Sequence, residues 1–99
     1  MTVRSSGVAY DAVVAHLMTI DLLNTLHIVD DDVSAVVEAY MANHDVGAVT
    51  FGEGFRIDPA AAVAGHPFAR TLMHQPWASD ELRRAAVRAA ILLAQPERC

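Results

Sequence analysis

The sequence predicts a compact, mostly α fold of three main helices plus a short one, with one β-hairpin after the second helix. Three observations predict it. The chain has 99 residues, enough for one small core and too few for two. It is 54% hydrophobic and 19% charged, the reverse of a disordered composition. Helix-forming stretches alternate with Gly and Pro breaks, and one Gly-Glu-Gly triplet stands between two β-prone runs. By area scaling, roughly 65% of the extended chain's surface is removable on folding. The whole of 1–99 is therefore read as a single domain, with 1–7 and 95–99 as flexible ends.

The first helix is expected from about Val8 to Leu26, a stretch without Gly or Pro, with Ser5 or Ser6 as N-cap. Its polar residues scatter around the wheel, so it reads as a helix buried or shared with a partner. Asp30, Asp31 and Asp32 place carboxylates where a second helix begins, complementing its dipole. That helix is expected to run to about His44, since Val33, Val36, Val37, Tyr40 and Met41 keep one helical face. Gly47 is suited to end the segment in a left-handed conformation.

The hairpin follows at 49–57. A three-residue turn with Gly54 at positive φ sets Phe51 opposite Phe55 and Val49 opposite Ile57, which makes one face apolar. Asp58-Pro59 then reads as an N-cap and first-turn proline opening a short helix that Gly65 ends, and Pro67 to His74 as another turn or two. Ser79, Asp80 and Glu81 start the last helix, which should end near Ala94. Glu81, Arg84 and Arg88 form its polar face, and Leu82, Ala85, Ala86, Ala89, Leu92 and Leu93 its apolar one.

Composition and charge narrow the function. Twelve acids against seven Lys and Arg give a net charge of -5, which opposes attachment to phosphate backbones. Cys99 is the single cysteine, so no internal disulfide forms. The N-terminal stretch is interrupted by Asp11, His16 and Asp21 and reads as neither a signal peptide nor a membrane span. A cytoplasmic protein is expected, and 18 alanines with no lysine suggest a GC-rich bacterial or phage genome.

Chemistry-bearing residues are sparse. The histidines at 16, 27, 44, 66 and 74 lack the paired spacing of a zinc site, and the three aspartates lack the spread ligands of a calcium loop, so no metal or cofactor is expected. His66, Arg70, His74 and Trp77 are an alternative ligand pocket, the basis for reading a small enzyme or ligand-binding protein. Gly52-Glu53-Gly54 lacks the lysine of a phosphate loop and reads as a turn.

Arg83, Arg84 and Arg88 are the sole basic cluster. Together with the order of helices and hairpin they resemble winged-helix DNA readers, and that resemblance implies a transcriptional regulator touching DNA through those arginines. The sequence departs from that pattern, because the helix before the hairpin carries Glu38 and no arginine.

The leading expectation is a non-enzymatic interaction or regulatory module. It acts through an apolar helical surface as a homodimer or on a protein partner, with Tyr40, Trp77, Leu92 and Leu93 as anchors.

Overall fold

Residues 17–98 are described in a computed structural model. Helix α1 spans Thr19–Asn24 and α2 spans Asp30–Ala42. The strands β1, Val49–Phe51, and β2, Phe55–Ile57, precede the short helices α3, Pro59–Ala64, and α4, Pro67–Met73. Helix α5, Asp80–Leu92, and the strand β3, Glu97–Arg98, complete the chain.

The mostly α fold with a hairpin after α2 is present. One expected main helix differs: the backbone at Met18 is extended, so no helix runs unbroken from Val8 to Leu26. Residues 8–16 lie outside the described region. The break has a local cause, since the Asp21 carboxylate accepts the Met18 N–H (3.1 Å) and starts a new helix there. Thr19, fully buried, donates its N–H (2.8 Å) and its hydroxyl (3.1 Å) to the Ala94 carbonyl. A free carbonyl just past the end of α5 thus closes the start of α1.

Helix α1 ends in a Schellman motif: His27 donates to Leu22 O (2.9 Å) and Leu26 to Leu23 O (3.2 Å). The left-handed position that glycine usually fills is held by Leu26, at φ 64° and 83% exposed. Helix α2 then begins with Val29 as N-cap rather than an aspartate. Asp32 reaches back to accept the Val29 N–H (2.9 Å). Its inner face is the expected one: Val33, Val36, Val37 and Tyr40 are buried and Met41 packs against them. Extended backbone at Asn43 stops the helix, and Gly47 takes its positive φ of 77° four residues later.

The hairpin has the expected register, Val49 with Ile57 and Phe51 with Phe55, the two rings 6.3 Å apart. Both Gly52 (φ 57°) and Gly54 (φ 89°) are left-handed. Gly52 matters most, because a Cβ there would lie 2.6 Å from Cγ2 of buried Ile28. Residues 95–98, expected as part of a flexible end, include β3, which pairs antiparallel with β2 and makes a sheet ordered β1-β2-β3. The Arg56–Glu97 ion pair (2.7 Å) and Arg98 over the Phe55 ring (5.3 Å) accompany that pairing.

Helices α3 and α5 are capped by the side chains read as caps from the sequence. Asp58 accepts from Ala60 and Ala61 N–H, and Ser79 from Leu82 N–H. Helix α5 is the central one, packing on α1, α2, α3 and α4. Its buried stripe is Ala86, Val87, Ala90 and Ile91. The expected apolar face needs correction, because Ala85 and Leu93 are exposed and Leu82 is 37% exposed. The branched side chains at 87 and 91, one turn apart, turn inward and rotate the helix away from the face that leucine content suggests. Among the described residues, no helix is long and apolar enough to cross a membrane.

Candidate functional site

The four expected contact anchors separate into two buried and two exposed. Tyr40 is buried on α2, with little surface left for a protein partner, and Leu92 is half-buried against the core, with only part of its side chain exposed. For Tyr40 this corrects the reading as an anchor: it sits seven residues after Val33, on the same helix face, and packs inward with it. Trp77 and Leu93 are 68% and 53% exposed. They flank opposite ends of α5, a separation of about 20 Å at 1.5 Å per residue, and do not form one patch. Phe68, 60% exposed, was not among the expected anchors. Its signal was present, since buried Ala69 and Leu72 fix the inner face of α4 at a spacing of three and leave Phe68 off it.

The three arginines of α5 are engaged within the molecule. Arg84 Nε donates to Glu38 on α2 (2.8 Å), and Arg88 pairs with Asp30 at the start of α2. As α5 runs forward these partners step backward along α2, so the two long helices lie antiparallel with ion pairs across their seam. Glu38 also raises the pKa of Arg84 by accepting its hydrogen bond and by its charge. Arg83 donates to the Gln75 carbonyl (2.6 Å) and lies 3.9 Å from Asp80, while its Nε is buried without a partner among the described residues. The arginines therefore brace the fold, and the DNA-contact reading has no freely projecting basic helix behind it.

The expected pocket of His66, Arg70, His74 and Trp77 comes together only by half. His66 is committed as the N-cap of α4, its Nδ1 accepting the Ala69 N–H (3.1 Å). Trp77 donates its indole N–H to Gln75 (3.1 Å). Neither lines a cleft with the other two. Arg70 and His74, one helical turn apart, do face a shared cleft of about 310 Å³. Its remaining walls are Tyr40 from α2 and His44 from the turn just after it, with Ala60, Val63, Ala64 and Met73. The Tyr40 and His44 rings stack 4.5 Å apart and 10° from parallel. Burial, and secondarily the Asp45 carboxylate, raises the Tyr40 phenol pKa above its usual 10.0. A second cleft of similar volume, beside β2 and α3, contains the Arg56–Glu97 pair and the capping Asp58, so its charged groups already have partners.

Among the described residues, no group of three or more His, Cys, Asp or Glu side chains could hold a metal ion. Compared with protein-family models, with curated proteins and with solved structures, the chain shows no match.

Proposed function

We propose that this chain is a small non-enzymatic interaction module that self-associates as a homodimer through the segment carrying α4 and Trp77. The observation that supports it is the partition of the aromatic side chains. Tyr40, Phe51 and Phe55 are buried, whereas Phe68 and Trp77, nine residues apart in the chain, are 60% and 68% exposed. Large rings left in water are the side chains from which interface hot spots are built. At their observed exposure, the two rings supply about 250 Å² per copy, about a third of what a standard interface takes from each side. A symmetric dimer brings the same two rings from both copies and so counts their area twice. A regulatory role in the cytoplasm belongs to this proposal; the absence of lysine bears only on a GC-rich bacterial or phage genome.

Sedimentation equilibrium over a rising protein concentration tests the reading. The expected result is a monomer–dimer equilibrium that Phe68→Ser and Trp77→Ser each weaken by about tenfold or more, as removal of hot-spot rings does. A monomer throughout the concentration range, or a dimer indifferent to both changes, would overturn it.

A further inference from the structure

The cleft between α2, α3 and α4 has a chemical bias that self-association does not use. Its four polar side chains, Tyr40, His44, Arg70 and His74, all carry N–H or O–H donors, and no Asp or Glu lines it. Burial, and after it the nearby Asp45 carboxylate, raises the Tyr40 phenol pKa. Arg56, Arg83, Arg84 and Arg88 each have a carboxylate within ion-pair distance, whereas Arg70 and Arg98 have no ion pair among the described residues; Arg98 lies over the Phe55 ring, and Arg70 lines the cleft. Its place in the last turn of α4 suits the helix dipole and accounts for its sign. The dipole does not account for Tyr40 and His44, from a distant part of the chain, lining the same cleft as Arg70 and His74. The opposite part of the lining is apolar, contributed by Ala60, Val63, Ala64 and Met73.

We propose that this cleft binds a small organic anion, a carboxylate or phosphate monoester attached to an apolar ring. The guanidinium of Arg70 offers a planar fork suited to two anionic oxygens, with His74 and His44 as further donors. The aliphatic wall and the Tyr40–His44 stack supply the surface for the ring. A volume of about 310 Å³ sits at the lower end of small-molecule sites, which favours a single-ring ligand over a nucleotide.

Isothermal titration calorimetry with phenyl phosphate, benzoate and benzamide tests the assignment, using the full chain. The charged probes are expected to bind saturably, and benzamide, of the same ring size but neutral, at least about tenfold more weakly. The tighter of the two anions identifies the head group. Arg70→Ala should lower anion affinity by at least about tenfold, with the circular dichroism spectrum unchanged because the side chain is exposed. Phe68→Ser should leave anion affinity as it is, so that failure of the dimer and failure of the cleft are read separately. Absence of saturable binding up to about 10 mM, equal affinity for benzamide, or full affinity in Arg70→Ala would each overturn the proposal.

Discussion

Replacing Gly52 by alanine tests how firmly the hairpin is seated on the helices. Gly52 has φ 57°, and a Cβ built on it meets Ile28 Cγ2 at 2.6 Å and Ile28 Cβ at 3.5 Å. Two costs add. An L-residue in the left-handed region costs about 1–2 kcal/mol, offset by about 0.5–1 kcal/mol because alanine restricts the unfolded chain more than glycine does. Forcing a methyl against Ile28, which is 2% exposed and has nowhere to move, adds about 1–3 kcal/mol of overpacking. The expected loss is therefore about 2–4 kcal/mol, a large share of the stability of a small domain. Gly54→Ala is the matched control: its φ is also positive, at 89°, but a Cβ there meets nothing within 4 Å. It should cost only the conformational part, about 1 kcal/mol. Urea denaturation of both variants, with unchanged m values, isolates the contact with Ile28 as their difference. Equal losses, or a smaller loss for Gly52→Ala, would show that the turn does not press on Ile28, and the seating of the hairpin inferred from that contact would be wrong.

Two other substitutions read separate parts of the structure. Leu26→Gly should stabilise the chain by about 0.5–1 kcal/mol, visible as a higher Tm, because glycine relieves the left-handed strain at the Schellman position while the lost side chain is 83% exposed and packs little. A lower Tm would mean that Leu26 makes a contact which compensates its backbone. Tyr40 gives a pH signature: its phenol pKa is raised in the folded chain by burial and by Asp45, so above the ordinary value near 10 the unfolded state loses the proton first. That contribution to stability is complete below pH 10 and is lost as pH rises through the folded pKa. Denaturation series from pH 8 to 11 should show this alkaline decline reduced in Tyr40→Phe, and an identical decline in both proteins would remove the assignment.

Local chemistry was the most legible part of the fold. The hairpin register followed from three turn residues and the alternation of Val49, Phe51, Phe55 and Ile57, and the caps at Asp58 and Ser79 followed from side-chain oxygens standing before helix-forming runs. The break at Met18 was hidden because it depends on Thr19 reaching Ala94, 75 residues away, as well as on Asp21 nearby. The inner face of α5 was misjudged for a related reason. Leu82 and Leu93 looked as apolar as Val87 and Ile91, and only the positions of α1 to α4 around the helix decide which pair is buried. For the cleft, Arg70 and His74 at a spacing of four were readable, but Tyr40 and His44 arrive from α2 and the turn after it and could not be joined to them by spacing. Conversely, the basic cluster that suggested DNA was already neutralised by Glu38 and Asp30, residues more than forty positions earlier.

The hydrophobic surplus also takes a different meaning. Much of it is alanine, and Ala35, Ala42, Ala48, Ala61, Ala64 and Ala85 sit exposed on the described surface. A methyl group in water costs little, at about 25 cal/mol per Å², so these side chains demand no partner. The arginine pairs do not demand one either. Their side chains are 33–47% exposed at Arg88, Arg84 and Arg56, where solvent screens the ion pairs, which chiefly fix how α2, α5 and the sheet are oriented. What composition alone suggested, an apolar helical face broad enough to dimerise, thus contracts to a few side chains. Phe68 and Trp77 are the exposed aromatics among the described residues, and Arg70 has no ion pair there. All three fall within residues 68–77, a segment whose inward contacts are already made by Ala69 and Leu72. Changing the outward residues of this segment should therefore alter binding while leaving the fold in place, whereas a comparable change at Leu22 or Ile91 should unfold the chain.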